Sequence, residues 1–455
     1  MEAKRSSFTG KLGFVLAAAG SAVGLGNIWR FPYLAAKYGG GIFLLVYLIL
    51  AVTFGFALMC AEIAIGRKTG KSAIGAFAAM DKRFKFLGWM ASVVPLIILP
   101  YYSVIGGWVM KYIAVFATGN AGNYANDYSF ALFRAETAEP VLWFALFIGL
   151  TALVVLFGVD KGIEKISKIM MPILIVLSIA VAIYSMTLDG AMEGVKYYLL
   201  PDFSQFSFMT VLSAMGQLFY SMSLAMGIMI TYGSYMKKDV NLESSVHQIE
   251  IFDTGIAFMA GMMIIPAVFA FSHGDQEILN KSLTQGPGLM FDVLPKVFNS
   301  MPGGTVFGVL FFVLVFFAAI TSSISLMETV VSIVQDKLGW GRVKACLVVI
   351  AASLLIGLPS AWGFGLLDGV KLLGMNFLGF FDFISNSILM PVVALLTCLF
   401  VGYVVKPKTV TDEIERTGKF KSKLLFHVLI KYLAPIFIVL ILGFSLLEAV
   451  GIITV

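Results

Sequence analysis

The chain has 455 residues, 59% of them hydrophobic and 13% charged, with a mean hydropathy of +0.94. A soluble protein of this size could not cover so much apolar surface, so the composition predicts an all-α polytopic membrane protein. The net charge of +6 is no sign of a nucleic-acid partner, because the basic residues collect in alternate loops.

In chain order, eleven apolar segments are each long enough to cross ~30 Å of hydrocarbon: 11–37, 41–66, 87–117, 141–158, 166–187, 207–235, 243–271, 303–335, 343–358, 375–405 and 424–452. The first opens like a signal peptide, with Lys4, Arg5 and Lys11 before an apolar run. The run continues past the small residues that could form a cleavage site, so a retained span is expected. One set of loops carries 23 basic residues, from Lys4 to Lys423. The alternate loops carry only Arg134, Lys196, Lys281, Lys296 and Lys371. This bias predicts a cytoplasmic N-terminus and, with an odd number of spans, an extracellular C-terminus. Cys60, Cys346 and Cys398 form no CxxC pair, so neither a disulfide framework nor a zinc site is indicated. His247, His273 and His427 are far apart and read as packing or helix-end residues.

Two spans are irregular. Gly20-Ser-Ala-Val-Gly-Leu-Gly-Asn-Ile-Trp-Arg-Phe-Pro32 places three glycines, an amide and an arginine at membrane depth. Non-helical backbone is tolerated there only where it is buried in protein or lines a cavity. The sixth span, Gly216 to Thr231, carries Gln217, Ser221, Ser223, Ala225 and Gly227 at mid-depth. Its serines could simply back-bond to their own helix. Beside Gln217 and a second interrupted helix, a site reading carries more weight. Broken helices at matching positions of two halves point to inverted repeats with a binding site between them. A half-helix N-terminus can receive a carboxylate, and freed carbonyls can receive sodium or an ammonium group. The chain thus reads as one domain over 1–455, with a first repeat at about 11–187, a second at about 207–405 and an additional helix at about 424–452.

Gly20 to Pro32, Gly39-Gly-Gly41, Gly216-Gln-Leu-Phe and Phe317-Ala-Ala-Ile-Thr-Ser-Ser323 together resemble the neurotransmitter:sodium symporter family. The likeness runs nearly end to end, and is strongest to bacterial members that carry leucine, hydrophobic amino acids or tyrosine. It implies the leucine-transporter type of 5+5 inverted repeat, a fold the handling of broken helices in transporters typifies, with helices 1 and 6 broken and eleven transmembrane helices. It also implies a first sodium site from Ala22, Asn27, Ser221 and Asp253, and a second from Gly20, Val23, Ala318, Thr321 and Ser322. These are oxygen donors, as a hard cation requires. Asp253 stands where the leucine transporter has Asn; its fixed charge implies independence of chloride.

The resemblance further implies a substrate pocket of Ala22, Gly24, Leu25, Gly26, Ile98, Tyr102, Ile105, Phe219, Tyr220, Ser221, Ser223, Met226, Ser322 and Leu326. Gly24, an Asp in the family's monoamine carriers, leaves room for the substrate's own carboxylate. Met226 replaces a phenylalanine and, with the apolar lining, favours a hydrophobic or aromatic L-amino acid. Arg30 and Asp382 are expected to close the outer vestibule, and Arg5, Asp336 and Tyr235, with Ser234, the inner one. Gly162 and Pro172 are expected to let the inner end of the fifth span unwind. Function is then sodium-coupled symport into the cell by alternating access across a bacterial-type plasma membrane, with two co-transported sodium ions, a small amino acid and the lipid bilayer as partners. No catalytic grouping suggests an enzyme. The competing readings are a sodium-coupled carrier for another small zwitterion, a channel or a membrane-embedded enzyme.

Overall fold

The computed structural model describes residues 7–126, 128–273, 275, 278–279 and 288–449. Among them the only β pairings are isolated bridges, Gly40 with Pro201 and Leu372 with Met375. Among the described residues, nine helices are long and apolar enough to cross a membrane: Gly41–Thr69, Lys82–Ala117, Glu139–Leu156, Val159–Met186, Leu242–Ser272, Gly304–Leu338, Arg342–Trp362, Phe377–Val404 and Lys423–Leu447. A tenth crossing is the pair Lys11–Ala22 and Gly26–Lys37, bent by 53°.

The expected sixth span is not an unbroken helix of spanning length. It is divided into Phe208–Ser221 and Ile228–Tyr235, with residues 222–227 between them. Neither half can reach across a bilayer alone at 1.5 Å per residue. The break is wide because Ser223, Ala225 and Gly227 all take positive φ, at 53°, 61° and 70°, which ends an α-helix outright.

The loops also differ from expectation. Ala73–Met80, Ser129–Ala135, Ala191–Leu199, Leu294–Ser300 and Pro407–Ile414 are short helices. They are too short to register as apolar spans, yet each buries one side. Tyr198, for example, is fully buried and its hydroxyl donates to the Phe258 carbonyl at 3.2 Å.

The N-terminal half of the first span, Lys11–Ala22, packs between the seventh span, Leu242–Ser272, and the eighth, Gly304–Leu338. The eighth also runs along the third, Lys82–Ala117. The C-terminal half of the sixth, Ile228–Tyr235, lies against the second span, Gly41–Thr69. There Gly66 meets the Ile230 carbonyl and Gly233 meets the Ile63 carbonyl so closely that neither has space for a Cβ. Small residues allow such backbone contact, which replaces the hydrophobic force absent in lipid. The two breaks are therefore held face to face at the centre of the bundle.

Candidate functional site

Three polar side chains from three spans converge on one acid. Asn27, Ser221 and Asp253 are each 0–1% exposed. The Asn27 amide donates to Asp253 Oδ1 at 2.7 Å and to Ser221 Oγ at 2.8 Å. Ser221 in turn donates to Asp253 Oδ1 at 2.8 Å. The other face of Asn27 is fixed as well, since its Oδ1 accepts the Gly24 N–H at 3.0 Å. That bond spans the break at residues 23–25 and ties its shape to the cluster. Tyr47, which the sequence reading missed, completes the group: its hydroxyl donates to Asp253 Oδ2 at 3.3 Å. A burial this deep requires hydrogen bonds for every oxygen.

A second cluster joins the first and eighth spans. Ser322 Oγ lies 3.4, 3.0 and 3.1 Å from the carbonyls of Gly20, Ser21 and Val23. Thr321 Oγ1 bonds back to the Phe317 and Ala318 carbonyls, at 2.8 and 3.2 Å. A Cβ on Gly20 would sit 3.3 Å from the Thr321 side chain. Gly20, Val23, Ala318, Thr321 and Ser322 are therefore neighbours around a knot of oxygen atoms with no formal charge.

Between the clusters lies a small cavity of about 20 Å³. Its wall contains Ala22, Gly24, Leu25, Gly26, Ile98, Tyr102, Tyr220, Ser221, Ser223, Met226, Ser322 and Leu326, together with Ser21, Asn27 and Ile228. Ile105 and Phe219 are not part of this wall. Both are buried. Ile105 lies nearly a turn beyond Tyr102 along the third span, and Phe219 points about 100° around its helix from Tyr220. A Cβ on Gly24 would lie 2.6 Å from Ser322 Oγ and 3.1 Å from the Tyr102 hydroxyl. On Gly26 it would strike the Tyr220 ring. The Leu25 N–H donates to the Tyr102 hydroxyl at 3.2 Å, so two donors meet at one end of the cavity. The Gly26 carbonyl takes the Gln217 amide at 2.9 Å.

The break in the sixth span has its own support. Glu62, 1% exposed, accepts the Ala225 N–H at 2.8 Å, while its second oxygen is buried without a partner. An acid in the apolar run Phe56–Ile65 is a signal that could have found it. Ser223 bonds the first break directly, donating to the Ser21 carbonyl at 2.9 Å.

Above the cavity, Arg30 stacks over the Tyr220 ring at 5.3 Å. Asp382 accepts the Tyr101 hydroxyl at 3.2 Å and the Asn386 amide at 2.5 Å. Arg30 and Asp382 make no direct ion pair, but both lie within electrostatic reach of Tyr220. On the opposite side, Arg5 lies outside the described residues. Asp336 accepts the Ser72 N–H at 2.8 Å, and Tyr235 donates to Glu328 at 2.8 Å. Both line one cleft. Ser234 bonds its own helix, at the Thr231 carbonyl. The sequence reading missed that Glu328 is buried and paired with Arg342. Gly162 sits in a π-helical segment, Val159–Glu164, and Pro172 lies inside Lys165–Met186. The fifth span therefore starts earlier than the expected 166, because a π-helical turn carries the helix through Gly162 and Lys161.

Two broken helices crossing at a buried cavity lined by backbone and hydroxyl groups define a secondary transporter. The family model described as the sodium:neurotransmitter symporter family matches residues 5–123 and 136–452. The chain belongs to that family, and is a sodium-dependent multi-pass membrane transporter rather than an enzyme. It is 36% identical to YhdH of Bacillus subtilis, an uncharacterized sodium-dependent transporter, over 97% of each chain. It is 27% identical to the sodium- and chloride-dependent taurine transporter of Rattus norvegicus, over 90% of this chain and 73% of that one. Among solved structures it is similar to MhsT in complex with L-phenylalanine, with a TM-score of 0.87 and 38% identity over 97% of this chain and 99% of that one.

Proposed function

We propose that this chain imports a hydrophobic or aromatic L-amino acid together with two sodium ions, without requiring chloride. The observation that carries the reading is Asp253. It is a fully buried carboxylate bound by Asn27, Ser221 and Tyr47, and no cationic side chain pairs with it among the described residues. Buried charges are paired or hold a metal ion, and sodium supplies the missing positive charge. The fixed negative charge also stands in for an added anion.

In this reading the first ion rests among the Ala22 carbonyl, Asn27, Ser221 and Asp253, and the substrate carboxylate completes its shell. The carboxylate occupies the space that Gly24 leaves, taking the N–H groups of Leu25 and Gly26 and the Tyr102 hydroxyl, which must give up its bond to Leu25. The amine meets carbonyls of Ala22, Tyr220 and Ser221, with Ser223 beside them. Ile98, Met226 and Leu326 receive the side chain, in keeping with the phenylalanine bound by MhsT. The second ion sits among Gly20, Val23, Ala318, Thr321 and Ser322, bridging the first and eighth spans.

Sodium favours the outward-facing form, and substrate closes Tyr102, Tyr220, Arg30 and Asp382 over the cavity. Loss of the second ion through the inner end of the fifth span, at Gly162 and Pro172, frees the inner gate of Arg5, Asp336 and Tyr235. The membrane potential contributes ~2.3 kcal/mol per charge per 100 mV. In this reading the chain lies in a bacterial-type plasma membrane, and the bias of basic residues to alternate loops supports an N-terminus in the cytoplasm and a C-terminus outside.

The test is uptake of labelled tryptophan, phenylalanine, tyrosine and leucine into liposomes carrying the purified protein. Uptake should stop when choline replaces sodium and persist when gluconate replaces chloride. Uptake indifferent to sodium would overturn the ion assignments, and failure of all four substrates in sodium would overturn the pocket.

A further inference from the structure

Glu164 is a buried acid, 1% exposed, for which the symport reading has no task. It ends the π-helical segment Val159–Glu164 at the start of the fifth span, next to Gly162. Its carboxylate leaves its own helix and grips the foot of the first span. Oε2 accepts the Thr9 N–H at 2.8 Å, and Oε1 takes the Thr9 hydroxyl and Lys168 Nζ, the latter at 2.6 Å.

Thr9 is held from its other side too. Its carbonyl accepts Lys237 Nζ at 2.7 Å, and the preceding Phe8 N–H donates to the Tyr235 carbonyl at 3.1 Å. Helix Lys11–Ala22 begins just beyond, with no side-chain cap and no acid in its first turn. A carboxylate at that end meets unpaired N–H groups and the positive end of the helix dipole. Gly13 is needed for the approach, since a Cβ there would collide with the Glu164 carboxylate. The same two spans touch again higher up, where Met171 Sδ lies 3.5 Å from the Cβ position of Gly20.

We propose that Glu164 is a positioning residue that joins the inner end of the fifth span to the foot of the first, so that the two open together on the cytoplasmic side. The joint rests on the symport reading. The π-helical turn that opens the fifth span carries the acid itself. Unwinding at Gly162 removes the carboxylate from Thr9; outward swing of Thr9 takes both of its donors, the N–H and the hydroxyl, from the same carboxylate and leaves it only Lys168 on its own helix. Either movement breaks one shared set of charge-assisted bonds.

Amide hydrogen exchange on the full-length protein in nanodiscs, in sodium and in potassium, tests this. In wild type, residues 9–14 and 159–166 should both be protected in sodium. Glu164→Gln should speed exchange in both segments together, by about tenfold or more, the size expected for lost charge-assisted bonds. Thr9→Val, which deletes one donor and keeps the fold if the Gln variant does not, should give a smaller rise in the same two segments. A rise confined to one segment, or none in either variant, would overturn the joint. Wild-type exchange identical in sodium and potassium would instead count against sodium coupling, with the paired response of the variants still deciding the joint.

Discussion

The amide nitrogen of Asn27 lies 2.7 Å from a carboxylate oxygen of Asp253, 226 residues further along the chain. Ser221 sits between them and bonds to both. The first, sixth and seventh spans thus meet on one acid, so any change in that acid's charge is felt by both broken helices.

Removing that charge while keeping the shape should separate its two roles. Asp253→Asn is expected to raise the sodium concentration for half-maximal uptake roughly tenfold or more, because a buried ion loses its counter-charge. Chloride should then stimulate uptake. Sodium titrations in chloride and in gluconate read both effects, and overlapping curves for variant and wild type would contradict the assignment.

Gly24 is a test of which end of the substrate faces the first break. With Ser322 Oγ 2.6 Å from its Cβ position, Gly24→Ala should weaken amino-acid binding at least tenfold, by displacing the carboxylate. Gly24→Asp should abolish amino-acid binding and favour an amine that lacks a carboxylate. Isothermal titration with phenylalanine and phenethylamine distinguishes these. Undiminished phenylalanine binding by either variant would move the carboxylate elsewhere.

Met226 lines the cavity and is 3% exposed. Met226→Phe puts a rigid ring where a flexible thioether stands. Tryptophan uptake should fall about tenfold relative to leucine, within the range set by a change of pocket volume. Competition uptake with both substrates present measures the ratio, and an unchanged ratio would place the substrate side chain away from Met226.

A stability prediction concerns the C-terminal end of the second span. Arg67 is 0% exposed, donates to Glu413 Oε1 at 2.9 Å and to the Val240 carbonyl at 2.8 Å, and Glu413 is 2% exposed. Glu413→Ala leaves a buried guanidinium without its acid and should cost about 3–5 kcal/mol. Arg67→Met with Glu413→Leu removes both charges and should recover much of that. Thermal unfolding in detergent compares the single and double variants; a double variant no more stable than Glu413→Ala would contradict the pairing.

Much of this arrangement is legible before any coordinates, for physical reasons that also mark the limits. Gly24, Asn27 and Asp253 stand out because glycines, an amide and an acid are costly in an apolar run and persist only where something needs them. The long spans stand out because spanning lipid demands about 20 apolar residues. Tyr47 does not stand out, since tyrosine is ordinary in membrane helices and only the packing shows its hydroxyl reaching Asp253. Phe219 lies outside the cavity wall because a facing depends on how a helix is rotated, and Ile105 because it lies further along its helix, neither of which residue type alone reveals. The pairing of Glu164 with Thr9, 155 residues apart, has no local trace in the sequence.

Equilibrium binding of radioactive sodium to the purified protein tests the central claim most directly. With saturating phenylalanine, two ions per chain are expected, falling to one in Asp253→Ala and to one in the double variant Thr321→Ala, Ser322→Ala. A single ion in wild type, or two in every variant, would contradict the pair of sites built at the broken helices.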